Sequence, residues 1–118
     1  MERIIRDNGK NQPKTICLDK PGAGGACHHY EVIQKFGFSY RVCQVNFQNG
    51  PIQENGVNGC QNEDLLAILI DRLRGFQSGD FACRDNAVAL THIETALMWL
   101  EKRTKDRIDR GVDGKSEV

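Results

Sequence analysis

The residues with the clearest chemical potential are three arginines close to the C-terminal end of the sequence. Arg103, Arg107 and Arg110 are spaced by four and three residues, so in an α-helix they form one ridge. A guanidinium group can donate two parallel hydrogen bonds to a phosphate, which makes the ridge a candidate anion site. The same spacing fits a solvated helix end, because basic side chains are favoured there and acidic neighbours are available as partners. The spacing alone leaves both interpretations open.

A tryptophan lies on the same side of this helix. Trp99 is nine residues after Leu90, and at about 100° per residue this places the indole opposite the apolar stripe to which Leu90 belongs. A hairpin partner that covers the stripe cannot also cover the indole, so either the N-terminal half of the chain or a second copy of the chain must cover it. We expect a second copy. We call this surface the Trp99 face, and its residues are Val88, Thr95 and Trp99.

Cysteine and histidine residues do not form a recognisable catalytic or metal-binding motif. The five cysteines are widely and irregularly spaced, without a Cys-x-x-Cys pair. Cys27, His28 and His29 are adjacent in sequence, whereas zinc ligands are normally separated by two or more residues. Paired-carboxylate, nucleophile-elbow, kinase and nuclease motifs are also missing. The sequence therefore predicts no catalytic residue, no metal site and no cofactor.

Two periodic segments must position the arginines and the tryptophan. The first segment follows Asn62, a potential helix cap, and the second runs from about residue 84 to about residue 107. Residues 78–83 between them predict a turn, so the two segments form a helical hairpin. Each segment has one apolar stripe at helical spacing. The stripes consist of Leu66, Leu69, Ile70, Leu73 and Phe76 in the first segment, and of Leu90, Ile93, Leu97 and Leu100 in the second.

The first half of the chain predicts short strands. Residues 14–18, 30–33 and 40–47 are rich in β-branched and aromatic side chains. Asn49-Gly50 is a two-residue turn of the type that joins antiparallel strands, and residues 51–53 would form a short return edge where a proline is tolerated. The expected fold is therefore α+β, with a small N-terminal antiparallel sheet followed by a long C-terminal helical hairpin, in an oligomer.

Two stretches of the first half lie outside these strands. Residues 1–12 are polar and without periodic signal, which predicts a loose leader. Residues 21–26 contain three glycines, so they form either a flexible loop or a loop whose backbone approaches a ligand closely. We expect residues 1–58 to comprise the leader and the sheet, and residues 59–118 the hairpin and a polar tail, in one folding unit.

Charge and hydropathy exclude several classes of protein. The 118 residues contain 16 basic and 16 acidic side chains, whereas a binder of duplex nucleic acid usually has a basic excess. No apolar run reaches the length of a membrane span, and no apolar stretch follows the charged start of the sequence. We therefore expect a cytoplasmic protein with no duplex and no membrane among its partners.

Several short motifs of the hairpin form a pattern that is specific as a set. They are Gly59–Leu66, Arg72-Leu73, Phe76-Gln77-x-Gly79, Phe81–Asn86 and Ala96–Leu100. With these motifs the sequence resembles the phage Thoeris anti-defence protein 1 family, which shares a helical hairpin with anti-CBASS protein 2. The N-terminal sheet with its Pro-Gly-x-Gly-Gly-Ala loop also resembles the Thoeris family.

The resemblance implies a sponge that captures an immune signal in the host cytoplasm and leaves it chemically intact. It implies a cyclic ADP-ribose isomer as the ligand, and assembly of the chain into dimers or hexamers. Phe76, Asn86, Arg103 and Arg107 match the family's ligand-binding positions. Family members also bind cyclic trinucleotides at a second site, for which Arg84 is the candidate here. An enzyme that hydrolyses the same signal, and a phage protein with only a structural or regulatory role, are the alternatives.

Overall fold

The computed structural model describes residues 2–116, which form four strands followed by three α-helices, with a short 3₁₀ helix (Ala23–Gly25) between the second and third strands. The strands are β1 (Arg3–Asp7), β2 (Lys14–Cys17), β3 (His29–Gln34) and β4 (Tyr40–Asn46). The helices are α1 (Ile52–Asn55), α2 (Asn62–Gln77) and α3 (Arg84–Asp109). The strands form one antiparallel sheet in the order β1-β2-β3-β4, and α2 packs against α3. The predicted α+β class, with a sheet before a helical hairpin, is confirmed.

The contacts divide the chain into two compact units, with the division between Cys60 and Gln61. The first contains the sheet and α1, and the second contains the hairpin. Our expectation that both belong to one folding unit stays a prediction. Among residues 2–116, none of the helices combines the length and the hydropathy that crossing a bilayer requires.

The prediction of a loose leader was wrong for residues 3–7. These residues form β1, which pairs with β2 so that Arg3 lies opposite Cys17 and Asp7 opposite Lys14. The Lys14 ammonium group lies 2.8 Å from the Asp7 carboxylate. All five residues of β1 are exposed, and a strand without a buried face lacks the alternation of apolar and polar residues that identifies most strands.

The prediction of a return strand at residues 51–53 was also wrong. This segment forms the one-turn helix α1, in which the Pro51 carbonyl oxygen accepts hydrogen bonds from Glu54 N at 3.2 Å and Asn55 N at 2.8 Å. Proline is suited to the start of a helix, because its fixed φ is near the helical value and it has no N–H to satisfy. Phe47 instead forms an isolated parallel bridge with Cys60. A side chain at Gly59 would overlap the Phe47 backbone at this crossing.

The core of the sheet unit is small. Among the described residues of this unit, Ile16 and Cys17 are the apolar side chains with no exposed surface. Tyr30 and Phe47 add an edge-to-face aromatic contact with ring centroids 5.8 Å apart. The remaining apolar side chains of the sheet are half-buried or exposed, so hydrophobic burial within this unit is limited.

Hydrogen bonds organise the glycine-rich loop between β2 and β3. The Asp19 carboxylate accepts from the backbone N–H groups of His28 and His29 at 3.0 and 3.3 Å. Buried His28 places Nε2 3.0 Å from the Ala23 carbonyl oxygen. Gly24 and Gly25 adopt positive φ angles of 70° and 81°, which glycine tolerates without steric cost. The loop therefore has a defined backbone path.

The hairpin begins one residue earlier than the sequence suggested. Gln61, rather than Asn62, is the N-cap of α2, and its backbone N–H donates to the Asp64 carboxylate at 2.8 Å. This contact satisfies one N–H group at the helix start, and the carboxylate also complements the helix dipole. At the far end of the hairpin, the Arg74 guanidinium group and the Glu94 carboxylate link the two helices at 2.7 Å.

The apolar seam between α2 and α3 differs slightly from the predicted stripes. Ile70 is buried, and Leu66 and Leu73 on either side of it are half-buried. Leu69 was predicted to lie in the seam, but 44% of its surface is exposed. Leu69 is one position away from Ile70, and this rotation of about 100° carries it to the edge of the stripe. The predicted stripe of α3 is confirmed, since its four members are all half-buried: Leu90, Ile93, Leu97 and Leu100.

Candidate ligand-binding site

An aromatic cluster lies where α2 ends. Phe76 is half-buried, and its ring contacts the Phe81 ring edge-to-face with centroids 6.3 Å apart. The Arg72 guanidinium carbon lies 4.9 Å from the Phe76 ring centroid, within cation–π distance. Arg72 was not among the predicted site residues. Its spacing of four residues from Phe76 was the available signal, since residues at i and i+4 are neighbours on a helix surface.

Asn86 lies in the first turn of α3, close in sequence to this cluster. Its backbone N–H donates to the Cys83 sulfur at 3.5 Å, which makes Cys83 the N-cap of the helix. The Gln77 side-chain oxygen accepts from Cys83 N at 3.1 Å and so joins the end of α2 to the start of α3. The loop closure therefore fixes the backbone of Asn86 near the end of α2 that carries Phe76.

The arginine ridge lies at the other end of α3. Arg103 and Arg107 both line an open depression of ≈ 670 Å³. Its other lining residues are Asp106, Asp109 and Arg110. Asp106 pairs with Lys102 at 2.9 Å, and this ammonium group lowers the pKa of the carboxyl group below its usual value. The carboxylate is thus ionised and compensated at neutral pH. The three guanidinium groups outnumber the other acidic lining residue, Asp109, so the depression is positive overall.

The four predicted ligand-binding residues fall into two groups. Phe76 and Asn86 lie at the loop end of the hairpin, whereas Arg103 and Arg107 lie towards the opposite end of α3. Asn86 and Arg103 are 17 residues apart on one continuous helix, which at about 1.5 Å per residue corresponds to about 26 Å. A compact cyclic dinucleotide cannot bridge this distance within one hairpin.

Arg107 is more deeply engaged than the sequence suggested. Only 8% of its surface is exposed, and its Nη2 donates to the carbonyl oxygens of Val112 at 2.8 Å and Lys115 at 3.0 Å. The chain after α3 therefore folds back over the guanidinium group. These bonds satisfy carbonyl groups beyond the helix end, a region where positive charge is favoured. Arg103 is exposed, so the two arginines have different surroundings.

Replacing Arg107 by alanine is expected to lower the free energy of unfolding by about 1.5–3 kcal/mol, because hydrogen bonds to a buried charged group are lost. Chemical denaturation at fixed protein concentration measures the change. Arg103→Ala is the matched control, and as an exposed charge it should change stability by less than about 1 kcal/mol. Equal stability of the two variants would contradict the structural role of Arg107.

Arg84 and the Trp99 face complete the predicted set. Arg84 is the first residue of α3 and is exposed, on the side of the hairpin where Phe76 and Asn86 lie. Trp99 and Val88 have 66% and 40% of their surfaces exposed. The hairpin therefore leaves the Trp99 face uncovered, as its position on the helix predicted. This face lies along α3 between Asn86 and Arg103.

Comparison with known proteins identifies the hairpin. Residues 39–105, more than half of the chain, match the family model described as "Acb2/Tad1, hairpin domain". A protein of Bacillus phage SBSphiJ7 named "Thoeris anti-defense 1" is 54% identical over 80 residues, which are 68% of this chain. The match spans 56% of that relative, so the chain corresponds to little more than half of its length. The resemblance in the sequence is thereby confirmed, and the chain belongs to the Acb2/Tad1 hairpin-domain family.

Proposed function

We propose that this protein is a phage anti-defence sponge, which binds a cyclic ADP-ribose isomer in the host cytoplasm and leaves it chemically intact. The observation that carries the proposal is the arrangement of α3. The uncovered Trp99 face lies between two groups of side chains. Phe76 and Asn86 lie towards one end of α3, and the depression lined by arginines lies at the other end. The name of the relative, "Thoeris anti-defense 1", supports the same biological role.

Two copies of the hairpin would bring the two groups together. Thr95 lies almost midway between Asn86 and Arg103 along α3. If two α3 helices pack antiparallel around a two-fold axis near Thr95, Asn86 of one chain lies opposite Arg103 of its partner. A two-fold axis repeats every contact, so such a dimer contains two equivalent sites. The Trp99 face is centred on the same position, which makes it the expected interface.

The side chains suit the parts of a cyclic dinucleotide-like ligand that contains adenine, riboses and a pyrophosphate. Stacking of adenine on Phe76 contributes about 1–3 kcal/mol. Each arginine that donates to the pyrophosphate contributes about 1.5–3 kcal/mol, and Asn86 can both donate to and accept from ribose hydroxyl groups. An effective sponge requires nanomolar affinity, about −12 kcal/mol, which favours a pocket enclosed by two chains over one exposed helix face.

A second ligand class remains part of the proposal. Cyclic trinucleotides would bind at a separate site that includes Arg84, which is exposed at the start of α3. Its exposure and its position at a helix N-terminus, where backbone N–H groups face outward, both suit contact with phosphate. Competition between a cyclic ADP-ribose isomer and a cyclic trinucleotide tests this directly, because separate sites predict that neither ligand displaces the other.

Calorimetric titration with cyclic ADP-ribose isomers, followed by recovery of the ligand, tests the sponge. A sponge binds with nanomolar affinity, and heat denaturation returns the ligand unchanged in chromatography. A hydrolase would instead return a linear product. A purely structural phage protein would show no titration heat and no rise in melting temperature with ligand. Either of these outcomes would refute the proposal.

Replacing Phe76 by leucine is expected to weaken binding of an adenine-containing cyclic ligand about tenfold to a hundredfold, because leucine keeps apolar packing but cannot stack on a base. Calorimetry of the purified variant measures the loss. Phe38→Leu is the control, since Phe38 is an exposed phenylalanine of the sheet unit with 85% of its surface accessible. An unchanged affinity of Phe76→Leu, or an equal loss in the control, would remove Phe76 from the site.

A further inference from the structure

The start and the end of the glycine-rich loop bring together a group of metal-binding side chains. Three possible ligand atoms lie within 4.8 Å of one another: the thiol sulfurs of Cys17 and Cys27 and one carboxylate oxygen of Asp19. Cys17 is the last residue of β2, Asp19 follows it closely, and Cys27 lies two residues before β3. We propose that Cys17, Asp19 and Cys27 bind one zinc ion that closes the base of this loop.

The separations between sulfur and oxygen atoms match those of a tetrahedral zinc site. A zinc ion with Zn–S bonds of about 2.3 Å and Zn–O bonds of about 2.1 Å has neighbouring sulfur and oxygen ligands about 3.6 Å apart. In the structure, Cys17 Sγ lies 3.6 Å from Asp19 Oδ1 and 3.4 Å from the Asp19 carbonyl oxygen. Cys27 Sγ lies 3.5 Å from the same carbonyl oxygen. Each sulfur thus already lies at a ligand-like distance from an Asp19 oxygen: Cys17 Sγ from Oδ1 and from the carbonyl oxygen, and Cys27 Sγ from the carbonyl oxygen.

The backbone holds the donors in place before any metal enters. The Asp19 carboxylate is oriented by N–H groups of His28 and His29. Contacts that orient a ligating carboxylate in this way raise metal affinity. Cys17 is fully buried within the sheet and Cys27 is half-buried. The site therefore has a fixed inner side and an entrance on the side of Cys27.

Charge balance supports the same assignment. Two thiolates and one carboxylate carry three negative charges, which one zinc ion reduces to one. Arg3 lies opposite Cys17 in the β1–β2 ladder, and its Nη2 is 3.9 Å from Cys27 Sγ. Its guanidinium group would neutralise the remaining charge and stabilise both thiolates. Thiolate ligands favour zinc over magnesium or calcium, which prefer sites made only of oxygen atoms.

The sheet unit has a physical reason to use such an ion. Its core contains little fully buried apolar surface, and small units of this kind are commonly stabilised by a structural metal. Zinc would tie the end of β2 to Cys27, two residues before β3, and thereby shorten the free part of the loop to residues 20–26. This role is independent of the ligand proposed for the hairpin, so the two proposals can fail separately.

The test uses the full chain, stripped of metal and kept reduced by a phosphine, and zinc chloride as the probe. Competition with a chromophoric chelator should show one zinc ion per chain, and the melting temperature should rise on zinc addition. Cobalt in place of zinc should give a thiolate-to-metal charge-transfer band. Amide hydrogen exchange in residues 20–26 should become slower when zinc is bound.

Cys27→Ser and Asp19→Asn should each weaken zinc binding more than about 100-fold, since loss of a ligand exceeds the 10–100-fold effect of losing an orienting partner. Cys60→Ser is the matched control, because Cys60 is a half-buried free thiol of the same unit and should bind as the wild type does. Equal metal-free melting temperatures would show that the variants fold. Absence of zinc uptake by the reduced chain, or wild-type binding by Cys27→Ser, would overturn the assignment. Isolation of a Cys17–Cys27 disulfide from a chain that takes up no zinc would also overturn it.

Discussion

Replacing Arg103 by alanine is expected to weaken binding of a cyclic ADP-ribose isomer about tenfold to over a hundredfold, with no change in oligomeric mass. Arg103 is exposed and lines the depression of α3, so its guanidinium group is available to a pyrophosphate. Removing a charge-assisted hydrogen bond from the bound state alone lowers affinity without destabilising the free protein. Isothermal titration calorimetry of the purified variant, with light scattering on the same sample, measures both quantities.

Lys105→Ala is the matched control for this experiment. Lys105 is also an exposed basic residue of α3, two positions after Arg103, but it does not line the depression. If only the overall charge of the helix end attracts the ligand, both variants should lose the same amount of affinity, and added salt should abolish the difference from wild type. Wild-type affinity in Arg103→Ala would show that Arg103 does not bind the ligand and is a solvated charge near the helix end.

Mixing two variants that each bind more weakly is expected to restore high-affinity binding at a fraction of the sites. In the proposed dimer, Phe76 comes from one chain and Arg103 from the other. A heterodimer of Phe76→Leu and Arg103→Ala chains therefore has one wild-type site and one site with both substitutions. Random pairing gives about one quarter of all sites wild-type properties, whereas each variant alone has none. Calorimetry after the two variants have been refolded together should show high-affinity binding with that reduced stoichiometry.

Trp99→Ala in both chains provides the control for the mixing experiment. Large aromatic side chains contribute strongly to interfaces, so this change should lower the oligomeric mass and prevent the restored binding. If each site lies within one chain, the mixture should instead titrate as the sum of the two variants measured separately. That result would exclude a site shared between chains, and an unchanged mass of Trp99→Ala would exclude the Trp99 face as the interface.

The hairpin was predictable because its periodicity is strong and local. Ile70 and the stripe of α3 occupy the expected side of each helix, and Trp99 is exposed as its position required. The sheet was less predictable. β1 has no buried face from which a pattern could arise, and Pro51 is compatible with both an edge strand and a helix start. The spacing of apolar residues along a helix indicates which face is buried. An exposed edge strand has no such spacing, and only its pairing with the neighbouring strand identifies it.

The candidate site was only partly accessible from the sequence. Residue types and family motifs predicted Phe76, Asn86 and the arginines as ligand-binding residues, but spacing along the chain does not show that a continuous helix separates Asn86 from Arg103 by about 26 Å. The fold-back over Arg107 depends on carbonyl groups, which every residue possesses and which therefore leave no mark on the sequence. Cys17, Asp19 and Cys27 similarly come together through strand pairing, since their spacing matches no standard ligand motif.

The segment after α3 competes with an anionic ligand for Arg107, because its carbonyl oxygens accept hydrogen bonds from the guanidinium group. Val112 and Lys115 accept hydrogen bonds from Arg107 Nη2, one of the nitrogens that would donate to a phosphate. A ligand that binds Nη2 displaces these bonds, so its measured affinity is the difference between two sets of contacts. If the segment after α3 were more flexible, these bonds would break more easily and the affinity for the ligand would rise. If the segment were more rigid, the affinity would fall. Sequence changes at residues 112–115 would therefore tune the affinity of the proposed sponge without altering any of its proposed ligand-binding residues.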